Sequence, residues 1–197
     1  QEHRNRALSP EHPYIRGTAM NPATYFQARE TVTPYYTAVP GIVSDCLAQF
    51  AEMTGRSYDL VSYTGDPEAT DIVVIMGSGT QSVTAAVQRL VAQGRKIGAV
   101  SIRMYRPWPT EAILAAIPAT TKRIAVLDRT KEPGSGGEPL YLDVVATLGE
   151  AYSTGVRPSM PIIIGGRYGL SSKEFTPAMA AGIFNELAKV SPRPRFT

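Results

Sequence analysis

Two short runs, Asp71–Met76 (Asp-Ile-Val-Val-Ile-Met) and Arg123–Asp128 (Arg-Ile-Ala-Val-Leu-Asp), constrain the fold more than anything else in this sequence. Each is almost continuously apolar, too short for a buried helix, and without the alternation of a strand that is wet on one side. Runs of this kind are strands covered on both faces. Between and around them lie stretches with helical periodicity. Gly77-Ser-Gly-Thr80 turns the chain into a helix over about 80–93, with Val83, Ala86, Val87, Leu90 and Val91 on one face. Ile97–Met104 reads as the next strand, and Pro109 opens a short helix that stops before Pro118. Glu138-Pro139 starts a helix with Tyr141, Val144, Val145, Leu148 and Tyr152 on one side. Pro161–Ile164 reads as a fourth strand, Thr176-Pro177 caps a last helix to about Lys189, and Tyr58–Tyr63 is a weaker strand. Strands separated by helices of this length predict an α/β fold of three layers, αβα, with a mostly parallel sheet.

The first 40 residues have a different texture. Pro10, Pro13, Pro22, Pro34 and Pro40 fall there with little apolar periodicity, so long regular structure is not expected. From Gly41 the pattern changes: Val43, Cys46, Leu47 and Phe50 predict an amphipathic helix over 41–53, closed by Gly55. The basic residues near the ends, His3, Arg4, Arg6 and Arg16 and then Arg193 and Arg195, read as solvated linker charge. A nucleic-acid surface would interleave them with stacking aromatics on one face. With a net charge of +3, no apolar run of membrane-spanning length and a charged amino terminus, the expectation is a cytoplasmic protein with neither nucleic acid nor membrane as partner.

Candidate chemistry is sparse. Cys46 is the single cysteine, and a cluster needs four thiolates. His3 and His12 both sit in the Pro-rich tail, so no Ser/His/Asp triad can be assembled. The Gly77–Thr80 turn could hold an anion at a helix start. It lacks the third glycine of a dinucleotide fingerprint, and a plain turn capped by Thr80 or Ser78 is the simpler reading. Asp128-Arg-Thr-Lys-Glu-Pro-Gly134, with Ser135-Gly-Gly137 after it, lies just past a strand's carboxyl end, where open α/β sheets bind ligands. Asp128, Arg129, Lys131 and Glu132 suit either an ion-pair network in a docking loop or a phosphate contact, and both readings stay open. In Arg103–Pro109, Tyr105 and Trp108 suit packing with an arginine stacked nearby, and in Arg167–Lys173 a cation could face an anionic ligand. No residue is assigned a catalytic, cofactor-binding or metal-binding role.

Several stretches together resemble a segment of the pyruvate:ferredoxin (flavodoxin) oxidoreductases. They are Arg4–Pro13, Arg16–Ala19, Asn21-Pro22, Tyr25–Glu30, Tyr35-Tyr36, Val39–Ile42, Thr54–Tyr58, Tyr105–Pro107, Leu127–Gly134, Pro139–Asp143, Gly165–Leu170 and Ser172–Phe175. Trp108 departs from the resemblance, which leads one to expect phenylalanine. The resemblance implies an internal fragment: residues 1–55 as the tail of a thiamine-diphosphate-binding domain plus a linker with one helix, and 56–197 as a transketolase C-terminal-like domain. It implies an enzyme that oxidises pyruvate with coenzyme A to acetyl-CoA and carbon dioxide and passes electrons to ferredoxin or flavodoxin. Thiamine diphosphate, Mg2+ and [4Fe-4S] clusters would sit in other domains, and the whole would be a homodimer. The region itself would support inter-domain and dimer contacts and be inactive alone. The rival reading is a stand-alone anion- or nucleotide-binding module using Ser78, Gly79, Arg129 and Lys131.

Overall fold

Doubly buried apolar strands need helices on both faces, and the chain supplies them. The computed structural model describes residues 1–13, 17 and 19–197; Arg16 of the amino-terminal basic group and Thr18 of the stretch Arg16–Ala19 lie outside the described residues. These form two compact units, Gln1–Ala38 and Val39–Thr197.

The first unit holds α1 (Glu2–Asn5), α2 (Pro22–Glu30) and the start of α3 (Thr33–Thr54). Its prolines do not exclude helix, as the sequence had suggested. Pro22 occupies the first turn of α2, where a missing N–H leaves no bond unmade, and the Asn21 side chain caps that helix by accepting from the Thr24 amide at 2.9 Å. Pro34 lies likewise in the first turn of α3, and Pro40 is carried inside it at the loss of one backbone bond. The helix expected over 41–53 therefore begins eight residues earlier. Its inward stripe is Val39, Val43, Leu47 and Phe50; Cys46 lies off that stripe and is exposed.

In the second unit six strands form one sheet: β1 (Val61–Gly65), β2 (Asp71–Met76), β3 (Ile97–Ile102), β4 (Arg123–Asp128), β5 (Ile162–Arg167) and β6 (Arg195–Phe196). Their order is β1-β3-β2-β4-β5-β6, with only β1 antiparallel to its neighbour. Val73 stands opposite Ala99 on one side and Ala125 on the other, which sets the register of the three central strands. Alternate residues of these strands enter two cores. Ile72, Val74, Val100, Ile124 and Val126 pack with α3, α5 (Thr110–Ala116) and α6 (Pro139–Ser153). Val73, Ile75, Ala99, Ala125 and Leu127 pack with α4 (Gly79–Ala92) and α7 (Pro177–Leu187). Burial on both faces is why the strand sequences show no alternation.

Several details differ from the sequence reading: β1 starts at Val61 rather than Tyr58, and β3 ends at Ile102 rather than Met104. The buried stripe of α6 is Leu140, Val144, Thr147, Leu148 and Ala151, while Tyr152 is exposed. Within that stripe Thr147 Oγ1 accepts the Trp108 indole N–H at 2.8 Å, a bond that phenylalanine could not make. The fourth parallel strand runs on through Gly165-Gly166 to Arg167, where Gly165 leaves room for Tyr141 and Arg195 and Gly166 for Phe196 and Leu127. Arg195 is no linker charge: it lies in β6, its guanidinium stacks 3.9 Å from the Tyr141 ring centre, and it donates to Gly136 O at 2.7 Å.

Candidate functional site

From β2 the sheet grows one way to β3, and the next strand, β4, is laid on the opposite side. Such a reversal opens a crevice at the carboxyl ends of β2 and β4, the usual ligand position in an open α/β sheet. Three loops meet there: Gly77–Ser78 after β2, Arg129–Glu138 after β4, and Tyr168–Lys173 after β5.

The start of α4 is closed rather than open. Tyr168 lies across it, its hydroxyl donating to Met76 O at 3.2 Å and its ring 4.6 Å from that of Phe175. A Cβ on Gly79 would stand 2.6 Å from that ring, so the glycine is there to admit the phenol. Burial raises the Tyr168 hydroxyl above its ordinary pKa, opposed first by the charge of Arg129 and then by the Gly79 amide. Ser78 does not cap the helix, contrary to one expectation; its Oγ accepts from Arg129 Nη1 at 3.2 Å.

The four charges after β4 do not form the network that their spacing suggested. Asp128, 2% exposed, accepts from the Leu140 and Tyr141 amides at 2.9 and 3.1 Å, capping α6 from the strand below it. Burial raises its carboxyl above the ordinary value against the pull of those two amides. Lys131 turns instead to Glu138, at 3.7 Å, which also takes Arg167 Nη1 at 3.3 Å. For Glu138 burial acts upward, but the bond and charge of Arg167, with backbone amides, outweigh it and leave the carboxyl below its usual value. Arg167 is thereby committed to a partner within the chain. Among the described residues Arg129 reaches only neutral oxygens, Gly169 O at 2.9 Å and Ser78 Oγ. Gly169 has φ +62°, and a side chain there would press on Arg129 Nε at 3.1 Å and on the arginine stem at 3.5 Å. The loop beyond is pinned by Ser135 Oγ to Gly137 O and by Arg195 to Gly136 O, both at 2.7 Å.

The Arg103–Pro109 stretch packs, as its aromatics suggested. Tyr105 and Arg106 both donate to Asp143 Oδ2, at 2.8 and 2.7 Å, and Arg106 stacks on the Tyr105 ring. Burial first, then the bond to Asp143, pushes the Tyr105 hydroxyl up to about 12. Lys173 stands exposed at the rim of a cavity of about 400 Å³ lined by Leu127, Tyr168, Leu170, Phe175, Ile183 and Phe196. Sequence reasoning missed this cavity, because Tyr168 and Phe196 belong to no periodic segment. Among the described residues no three His, Cys, Asp or Glu side chains converge as a metal site would require, and no helix is long and apolar enough to cross a membrane. What the crevice offers chemically is hydrogen-bond donation from Arg129, with no paired nucleophile and base beside it among the described residues.

The family model for "Pyruvate:ferredoxin oxidoreductase core domain II" matches residues 69–169, more than half of the chain. A pyruvate-flavodoxin oxidoreductase of Trichormus variabilis is 54% identical over 99% of this chain, which corresponds to 16% of that relative. The pyruvate:ferredoxin oxidoreductase of Moorella thermoacetica is 50% identical over 98% of the chain, again 16% of the relative's length. A solved 2-oxoglutarate:ferredoxin oxidoreductase from Magnetococcus marinus shares the fold with a TM-score of 0.51 and 20% identity, covering 87% of this chain and 24% of that one. This chain therefore belongs to the pyruvate:ferredoxin oxidoreductase core domain II family.

Proposed function

We propose that this chain is an internal part of a longer pyruvate:ferredoxin or pyruvate:flavodoxin oxidoreductase, and that its own work there is structural. The whole enzyme would oxidise pyruvate with coenzyme A to acetyl-CoA and carbon dioxide and hand the electrons to ferredoxin or flavodoxin in the cytoplasm. Residues 1–55 would close the preceding thiamine-diphosphate-binding domain, and 56–197 would be the transketolase C-terminal-like domain, supporting contacts between domains and across a homodimer.

One observation carries this reading: the two buried carboxylates at the ligand-binding end of the sheet, Asp128 and Glu138, are consumed in holding the domain together. Asp128 caps α6 and Glu138 neutralises Arg167 and Lys131, so neither is left to take a proton or a cation. The residues present do not fit the enzyme's prosthetic groups. One cysteine cannot ligate a [4Fe-4S] cluster, and the described residues gather no acidic set for the Mg2+ of thiamine diphosphate. Those groups would be held by other domains. The rival nucleotide-binding reading is weakened by Tyr168, which covers the helix start a phosphate would use.

The test compares two proteins. With pyruvate, coenzyme A, thiamine diphosphate, Mg2+ and a viologen dye, the full-length protein reduces the dye and the purified chain gives only the buffer rate. Turnover by the chain alone, or none by the full-length protein, sinks the proposal.

A further inference from the structure

Resting on the assignment to a longer polypeptide, we propose that Arg129 is a docking cation whose guanidinium receives the carboxylate of an aspartate or glutamate from another domain of the same protein. A guanidinium carries five N–H donors. Two of them are directed at Gly169 O and Ser78 Oγ, both neutral, which leaves three without a partner among the described residues, on a side chain that is exposed. No carboxylate among the described residues lies within ion-pair distance, and the local acids are committed elsewhere. Asp128 is taken by α6 and Glu138 by Arg167 and Lys131, while Glu132, the nearest acid in sequence along the loop, does not pair with it. The head is nonetheless held in place. Gly169, with its positive φ and missing Cβ, forms the bed for the arginine stem, and three loops from three strands fix the guanidinium over the crevice.

A cation positioned this firmly and left uncompensated fits a planar two-oxygen acceptor, which a guanidinium binds as a fork. A phosphate-bearing ligand fits less well. It would look for the amides at the start of α4, and Tyr168 covers them. Acids from outside the chain are at hand, because it spans only 16% of relatives that match it over 98–99% of its length.

The experiment uses the full-length protein, gel-filtered free of phosphate. Arg129→Lys places an amine at position 129 that a carbodiimide couples only to a carboxylate in contact with it. Peptide mass spectrometry is expected to find a cross-link from position 129 to an Asp or Glu outside residues 1–197. In the unsubstituted protein, an arginine-selective dicarbonyl should label Arg129 about tenfold more slowly than in urea, with no added anion, as a paired fork requires. A missing cross-link, cross-links confined to residues 1–197, or protection that appears only when inorganic phosphate is added each overturns the proposal. Dye reduction measured on the same samples separates the two ideas: normal turnover without the cross-link removes this inference and leaves the enzyme assignment standing.

Discussion

Removing Arg167 should cost the domain more than removing Lys131, although both cations face the same carboxylate. Glu138 is 3% exposed, and its contact with Arg167 is the shorter and drier one: 3.3 Å to a side chain 19% exposed, against 3.7 Å to a lysine 48% exposed. Stranding a fully buried charge costs roughly 3–5 kcal/mol. The remaining lysine and some water lower that figure, so Arg167→Ala should destabilise by about 2–3 kcal/mol. For a chain of this size that is roughly 5–10 °C in Tm. Lys131→Ala should stay within about 1 kcal/mol, the range of exposed pairs. The pH dependence tests the cause. In the wild-type chain Glu138 lies below its unfolded value of about 4.3. Its contribution to stability is therefore present above about pH 4.3 and is lost as pH falls through the lower folded value. Without Arg167 the largest downward pull on the folded value is gone, so the loss caused by the substitution is absent where Glu138 is protonated and grows as pH rises. Thermal melts of the purified chain at pH 4 and pH 7 should show Arg167→Ala much more harmful at pH 7. Equal losses at both pH values, or a Lys131→Ala loss as large as that of Arg167→Ala, would refute the reasoning.

Three further outcomes are expected. Asp128→Ala leaves the buried Leu140 amide and the Tyr141 amide without their acceptor and should lower stability by about 2 kcal/mol in denaturant titration; a loss under about 0.5 kcal/mol contradicts the capping role. Gly79→Ala must push Tyr168 off the β2–α4 turn, at about 1–3 kcal/mol, whereas Tyr168→Phe loses one bond to Met76 O and about 1 kcal/mol; the reverse ranking in thermal melts would show that the ring does not bear on the turn. Arg157 donates from Nη2 to Pro118 O at a long 3.3 Å, while its buried Nε has no partner among the described residues and burial lowers its pKa, so Arg157→Met should be neutral or stabilising; a drop in Tm of several degrees would mean that the bond to Pro118 outweighs the buried Nε.

How much of this was legible in the sequence depended on whether a signal was repeated along the chain or made by two distant residues. β2 and β4 were read at their observed bounds because every residue of a doubly covered strand speaks for the same environment. The helices after them followed from four or five apolar positions each. The prolines misled because proline excludes a helix's interior far more strongly than its first turn, and Pro22 and Pro34 sit in first turns. β6 spans two residues, too few for any period. In the crevice the right segments stood out, but not who pairs with whom. Asp128 beside Arg129 looks like an ion pair on paper, yet adjacent residues of a strand and its exit point different ways, and the acid goes to α6 while the base goes to Gly169. Tyr168 could have been suspected only by asking what fills the space that Gly79 leaves.

The brevity of β6 bears on how this chain behaves in company. It covers β5 only at Gly165 and Gly166, so the outer rim of Ile162–Ile164 has no strand beside it among the described residues, and Ile162 is half exposed. A bare rim bearing isoleucines is a template for strand addition, because its amides and carbonyls lie in line for another extended backbone. Charged side chains that guard such rims elsewhere do not occur at these three positions. Handled as an excised piece at high concentration, the chain is set to associate rim to rim through β5, and a lysine placed at position 162 would be the simplest guard against it.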